Sequence, residues 1–480
     1  MTVAQLRGTE PAGWNVAAAG WRSWAATAGR WSAELRSGAD RLAAVWSGAA
    51  AGAALAGAAR LRHRLDSFRL ACWRADQALS DFGAALIRAR SLLPTAEPAA
   101  LEIAGRADAT TTARLTGLAD LTTTPVTGPL PACGAGPAEI RQWWQSLTAA
   151  QQRWLVTVNP GWIAPLDGVP AADRDAANRL LLDDRRRELD AAIATAHGRE
   201  QTRLRAMRHG LDTLAARLAD GTALRAYLLR LDLAGDGRAV VTIGDPDRAS
   251  DVLTQVPGMT ADLASYSGEL SRAERVAVRA AEVAPDRATS AVLWLDYDAP
   301  DFVAEAASPR QAQVGAAGLR RFQEGLRASH LDGTAHQTVL GHSYGSVLVG
   351  AAAAQHGLQA DDVVFVGSPG VGAGSAGELH AGRVWSSTSR SDVIQYLPVA
   401  PRSLIADVAT TAALGPAGAL LAFGRPEKDL WFGVNPSDPA FGARVFASRP
   451  DGGHLGYWDR GGPALEAITQ ITVGRDVTPR

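Results

Sequence analysis

Apolar residues in the first 95 positions recur at helical intervals. Trp14, Trp21, Trp24, Trp31, Leu35, Leu42 and Val45 are spaced by three, four and seven, which puts them on one face of a helix. Trp46-Ser47-Gly48 breaks that pattern, and a second stripe follows at Leu65, Phe68, Cys72, Ala75, Leu79, Phe82 and Leu86. Two amphipathic helices joined by a short break pack as an antiparallel pair. Residues 1–120 are therefore predicted to form a helical-hairpin domain with its tryptophans in the core.

Residues 121–137 are rich in Thr, Pro and Gly and read as a linker. A helical connector is predicted over 138–223. Trp143, Trp144, Leu147 and Trp154 lie at helical spacing in 138–158, and 173–218 is helical with a break near His197-Gly198. The charged run Asp183 to Glu188 reads as a solvated face. From 224 the texture changes. Two β-like runs flank Gly235-Asp236-Gly237, a hairpin signal, and short apolar runs then alternate with helical segments to the end of the chain. The runs fall at 252–256, 291–295, 338–340, 362–366, 384–387 and 444–446. This is the rhythm of an α/β domain over 224–480 with a doubly wound, mostly parallel sheet.

One of those runs carries chemistry. Thr338-Val339-Leu340 leads into Gly341-His342-Ser343-Tyr344-Gly345, and a small-residue helical run follows. A Gly-x-Ser-x-Gly arises readily by chance in a chain with 49 glycines. A strand before it and a helix after it make it a nucleophile elbow. Gly341 and Gly345 let strand and helix approach closely, and Ser343 then sits exposed on a strained turn. A serine hydroxyl needs a base, and the base needs an orienting acid. Three histidines lie after Ser343: His356 ends the elbow helix, His380 precedes a strand, and His454 lies in a late loop after the last strand. His454 is the expected base. Asp392, in a loop after the run 384–387, is the expected acid. Asp361 and Asp362 precede their strand, and Asp407, Asp429, Asp438 and Asp451 are the remaining alternatives. Asp392 could also cap the next turn. For the oxyanion, Tyr344 is one expected backbone donor. The other is Met259, with Gly258 second, in Val256-Pro257-Gly258-Met259.

Composition narrows the partners. The formal net charge is −1 over 480 residues, so no global basic field points to nucleic acid or an anionic membrane. Lys428 is the single lysine. Cys72 and Cys133 cannot make a disulfide framework or a zinc site by themselves, and the chemistry proposed needs neither metal nor organic cofactor. The apolar run 49–59 is too short to span a bilayer, and 403–424 is broken by Asp407, Thr410, Thr411 and Pro416. No transmembrane segment and no Sec signal peptide are expected, which suggests a cytoplasmic chain. The segment 403–424 could instead wall an acyl pocket.

Together Gly341-His342-Ser343-Tyr344-Gly345-Ser346, Val256-Pro257-Gly258-Met259, Trp294-Leu295-Asp296-Tyr297, Gly433-Val434-Asn435-Pro436 and Gly453-His454 resemble an actinobacterial α/β-hydrolase family of unknown function. The resemblance covers about residues 224–480. Trp143-Trp144, Leu166 to Pro170, Asp173-Arg174 and Asn178-Arg179 resemble the segment that often precedes that domain. The resemblance implies a serine hydrolase but supplies no substrate, and an ester or lipid-like acyl group is the default expectation. The N-terminal hairpin, with Trp46-Ser47-Gly48 at its turn, resembles the Trp-x-Gly proteins of type VII secretion. That resemblance implies a protein partner and a possible export route, although no Tyr-x-x-x-Asp/Glu signal follows the hairpin. The alternative function is therefore an interaction module or effector whose hydrolase domain is inert or serves as cargo.

Overall fold

The computed structural model describes residues 1–221, 224–331, 333–396 and 429–479. It divides into two compact units, Met1–Leu204 with Asp212–Arg230, and Arg205–Leu211 with Leu231–Arg480. The segment 403–424, Asp407 and Lys428 lie outside the described residues.

The first unit opens with α1 (Val3–Gly8), α2 (Pro11–Val45), α3 (Ala49–Leu92) and α4 (Glu97–Thr116). Trp46 ends α2, and Gly48, at φ 101°, opens α3. The hairpin is there, but its packing face differs from the predicted one. The buried positions of α2 are Pro11, Ala18, Ala25, Ala28, Gly29 and Ser32. Trp24 and Trp31 are about half exposed, at 56% and 50%. Trp21, Val45 and Trp46 are exposed as well. Only Trp14 meets the expectation closely, edge-on to Phe82 with ring centroids 5.0 Å apart. Small residues let two long helices approach closely, so the bulky rings are displaced to the flank of the seam. The second stripe does face inward, at Cys72, Ala75, Leu79, Phe82 and Leu86.

Next come α5 (Pro137–Ser146), α6 (Ala149–Val158), α7 (Pro160–Ile163), α8 (Ala171–Thr195) and α9 (Gly198–Ala219). The predicted helix over 138–158 is two helices. Thr148 accepts from the Gln151 N–H and Gln151 returns the bond, a capping box that restarts the chain as α6. Trp144, Ile140, Leu155 and Trp73 share one core. The charged run in α8 is tied down rather than merely solvated, since Arg36 pairs with Asp184 and Arg186 meets Asp212 at 3.1 Å. Buried Asn178 and Arg179 donate to the Leu228 and Ala226 carbonyls at 2.9 and 3.0 Å. Asp175 accepts from the Leu228 N–H at 2.8 Å. The polar motif in α8 is thus a brace for backbone that would otherwise be buried unpaired.

The second unit is built on a mostly parallel eight-stranded sheet. Its strands are β1 (Ala226–Asp232), β2 (Arg238–Ile243), β3 (Asp251–Val256), β4 (Thr289–Leu295), β5 (His336–His342), β6 (Asp362–Val366), β7 (Arg383–Ser387) and, after the short pair β8 (Asp429–Leu430) and β9 (Gly433–Val434), β10 (Arg444–Val445). The order is β1-β2-β4-β3-β5-β6-β7-β10, and the boundary between the units falls within β1. β2 runs antiparallel to β4, and the pairs from β4 through β10 are parallel. The helices are α10 (Tyr266–Val283), α11 (Val303–Ala306), α12 (Arg310–Ser329), α13 (Tyr344–His356) and a C-terminal helix, Pro463–Thr472. β3 through β6 are buried almost throughout, as expected of parallel strands covered on both faces. The chain reverses its crossover direction between β3 and β4 on one side and β5 on the other, so a crevice opens at the carboxyl ends of β3 and β5.

Candidate active site

The register sets the site. Val256 pairs with Gly341, His342 with Val366, and Val366 with Ser387. The residues that follow, Pro257, Ser343, Gly367 and Thr388, therefore leave the sheet at the same edge. Ser343 lies between β5 and α13 at φ 53° and ψ −130°. A non-glycine residue held there costs on the order of 1–3 kcal/mol. Two close approaches enforce it. A Cβ on Gly341 would lie 2.6 Å from Ser346 Cα, and one on Gly345 would lie 2.3 Å from the Val256 carbonyl oxygen. The Ser343 N–H donates to Val366 O at 3.1 Å.

Asp392 and His454 meet although 62 residues separate them. Nδ1 of His454 is 2.9 Å from Oδ1 and 3.0 Å from Oδ2 of Asp392. Asp392 is fully buried. Its Oδ1 also accepts from the Ile394 N–H at 3.0 Å, so the turn-capping role coexists with the contact to His454. Oδ2 accepts from the Tyr457 hydroxyl at 2.6 Å. Burial alone pushes the Asp392 carboxyl up, but the bonds and charge of His454, with those of Tyr457 and Ile394, outweigh it and hold it below the usual carboxylate value. Burial, then the Asp392 charge, pushes the Tyr457 phenol far above its ordinary value, so it stays a donor.

The two loops are laced together. Ser391 N–H donates to Pro450 O at 3.0 Å, Gly453 N–H to Ser391 Oγ at 2.8 Å, and Ser389 Oγ to Arg449 O at 2.7 Å. His342 ties the loop that carries His454 to the turn at Ser343. Its Nε2 lies 2.9 Å from the His454 carbonyl oxygen, and its ring lies 4.7 Å from the His454 ring and 5.1 Å from that of Trp458. Burial, then the charges of His454 and Arg272, pushes the His342 imidazole down to about 3. It is neutral at ordinary pH, so Nε2 carries the hydrogen that it donates to that carbonyl.

Gly258 presses against Ser343: a Cβ there would lie 2.6 Å from Ser343 Cβ and 3.1 Å from Oγ. Tyr297, buried, donates to Pro257 O at 2.7 Å and fixes that turn. Among the described residues the N–H of Met259 has no hydrogen-bond partner. Tyr344 is the first residue of α13, where a helix leaves its N–H unpaired. Gly367, at φ 55°, lies against the Asp392–His454 pair, and a Cβ there would be 2.7 Å from Asp392 Oδ2 and 3.0 Å from His454 Nδ1. Among the described hydrogen bonds none joins Ser343 Oγ to His454.

The passed-over acids and histidines have other work. Asp362 sits at the amino end of β6, bound by Arg383 at 2.7 Å, His336 at 2.8 Å and Trp385 Nε1 at 2.7 Å. Asp361 accepts from the Gln337 N–H at 2.7 Å, and Asp438 caps a short turn. His356 ends α13, and His380 follows a single turn at φ 47°. Sequence reasoning missed His342 as a linking residue, Tyr297, Tyr457 and Gly367. Their proximity to the pair was signalled by His342 adjoining Ser343, by Tyr457 lying three positions after His454 and by Gly367 directly following β6. Among the described residues no three His, Cys, Asp or Glu side chains converge as a metal site requires.

A family model described as Alpha/beta hydrolase matches residues 232–401. The chain is similar to the uncharacterized protein Rv2079 of Mycobacterium tuberculosis strain H37Rv, 31% identical over 382 residues, which is 72% of this chain and 57% of that protein. It is also similar to the uncharacterized protein Rv0963c of that strain, 37% identical over 186 residues, 37% of this chain and 66% of that protein. The chain thus spans a little over half the length of the first of these relatives. No solved structure matches it.

Proposed function

Since the domain containing residues 232–401 belongs to an α/β-hydrolase family, we propose that the chain is a serine hydrolase cleaving an ester or related acyl bond through an acyl-enzyme. The observation that carries the reading is the buried Asp392 carboxylate held at 2.9 Å from His454 Nδ1, on the sheet edge where Ser343 occupies a strained turn. With Nδ1 engaged by the carboxylate, Nε2 is the nitrogen that faces a proton donor. On substrate binding the hydroxyl and the imidazole come within hydrogen-bond reach, a tightening usual in ligand-free sites. Ser343 Oγ attacks the acyl carbon as His454 Nε2 takes its proton, and the carbonyl electron pair moves onto oxygen. The N–H groups of Tyr344 and Met259 bind that oxyanion. Collapse expels the leaving group, which takes the proton from His454. Water then repeats the sequence on the acyl-enzyme and frees Ser343.

Labelling by a fluorophosphonate probe tests this, with Ser343→Ala as the control. The expected result is an adduct on the wild-type chain and none on the variant. A wild-type chain that takes no label, or a variant labelled equally, overturns the proposal. A chain-length series of p-nitrophenyl esters then reports whether an apolar acyl pocket exists.

A second reading has its own support. The exposed rings of Trp21, Trp24, Trp31 and Trp46 along the hairpin suit a protein partner. In this reading the hairpin is a docking module, with or without an active hydrolase beside it. Sedimentation of the full chain, compared with a Trp24→Ser/Trp31→Ser variant, tests for self-association through that flank. Identical monomeric behaviour of both chains counts against a second copy as the partner.

A further inference from the structure

The net charge of −1 hides an uneven distribution. Residues 1–92 carry 12 arginines against 6 acidic side chains. Most of those arginines have partners, as Arg69 has Asp66 and Arg74 has Asp173. Arg60 and Arg64 do not. Both are exposed, and among the described residues neither makes an ion pair or a hydrogen bond. They stand four apart on α3, on the same helical face, where like charges repel.

The two guanidiniums line a cleft of about 750 Å³ within the first unit, formed by α3, the segment 121–123 and α6. His63 and Thr123 meet on its wall, with Nε2 and Oγ1 3.0 Å apart. Trp154 and Leu121 give it an apolar side. Among the described residues no carboxylate lines it. The neighbouring acids are already engaged. Asp120 holds Arg153 at 3.0 Å and the Thr122 N–H at 2.8 Å, and Asp66 faces Arg69 and Ser32. The cleft therefore gathers positive charge, fork-shaped donors and hydroxyls with no anion of its own.

We propose that this cleft binds a phosphate group, with Arg60 and Arg64 clamping the anion and Trp154 and Leu121 receiving the organic part of a phosphate ester. A guanidinium pair matches phosphate oxygens geometrically, and an anion between the two arginines turns their repulsion into attraction. The group comes either from a soluble phosphate or from a phospholipid headgroup. The site is independent of the hydrolase reading.

The test uses the full chain and two probes: inorganic phosphate, followed by calorimetry, and sedimentation with vesicles of phosphatidylcholine alone or with about 20 mol % phosphatidic acid. The variants are Arg60→Gln/Arg64→Gln and, as a charge-matched control, Arg30→Gln/Arg41→Gln. Affinity is expected to fall about tenfold or more in the first variant and to stay within about twofold in the control. Binding of both probes points to the phosphate group alone. Binding only to the phosphatidic acid vesicles points to the lipid headgroup. No binding of either probe, binding that survives Arg60→Gln/Arg64→Gln, or an equal loss in the control overturns the site. The melting temperature of the first variant should not fall, since its fold loses only a repulsion. Fluorophosphonate labelling should be unchanged in both variants, which separates this outcome from the fate of the hydrolase reading.

Discussion

The hydroxyl of Tyr457 donates to Oδ2 of Asp392 at 2.6 Å while its oxygen accepts from the Ser389 N–H at 3.0 Å. One buried phenol thus joins the carboxylate that faces His454 to the loop that carries that carboxylate. Asp392 has a depressed value in the folded chain, so its stabilisation is present above the unfolded value, roughly 3.9, and is lost as pH falls through the lower folded value.

Tyr457→Phe removes the phenol bond and moves the folded value of Asp392 upward. The loss of a bond to a buried charge costs about 1.5–3 kcal/mol. Urea unfolding at neutral pH should show that loss, and acid unfolding should begin at higher pH than in the wild type. Unchanged curves would mean that the phenol contributes nothing to the carboxylate.

Gly258 and Gly367 predict two different failures. Gly258→Ala puts a methyl 2.6 Å from Ser343 Cβ without requiring a positive φ. Its labelling by a fluorophosphonate should slow on the order of 100-fold, and the clash with Ser343 Cβ should lower the melting temperature by less than in a variant that adds backbone strain. Gly367→Ala places a methyl 2.7 Å from Asp392 Oδ2 at φ 55°, so it should lower the melting temperature as well as the labelling. Equal behaviour of the two variants would contradict the geometry.

His342 sets a pH slope. Its folded value is lowered to about 3, whereas the unfolded imidazole titrates near 6.5. The unfolded chain therefore binds a proton below about pH 6.5 that the folded chain refuses until about pH 3, and stability falls through that window by up to about 1.4 kcal/mol per pH unit. His342→Gln keeps a donor for the His454 carbonyl and removes the titration. Urea unfolding at several pH values should give a flatter profile for the variant, and matching slopes would rule out His342 as their source.

The tryptophans should split by packing. Trp144 is 2% exposed beside Trp143, with ring centroids 5.8 Å apart, so Trp144→Ala should cost about 3–5 kcal/mol. Trp24, at 56% exposure, should tolerate Ser within about 0.5 kcal/mol. Thermal unfolding of the two variants distinguishes them. A large loss for Trp24→Ser would restore the inward-facing stripe that the spacing alone predicts.

How far the chain could be read residue by residue follows from the range of the forces involved. Periodicity located the two hairpin helices and the alternating strands, because it reports which face an element buries. Gly341, Ser343 and Gly345 marked the elbow, because a strained turn between strand and helix demands those residue types locally. Chain order pointed to Asp392 and His454 without measuring the distance between them. What α2 buries was decided by helix–helix approach, which prefers Ala18, Ala25 and Ala28 to tryptophan at the seam. The partners of Asp392, the tie from His342 to the His454 carbonyl and the crowding at Gly258 and Gly367 were likewise decided by the fold. Local sequence governs dihedral preference and which face is apolar. Strands set in register and helices packed on one another bring together side chains separated by dozens of residues, and hydrogen bonds and close packing act at those short distances alone.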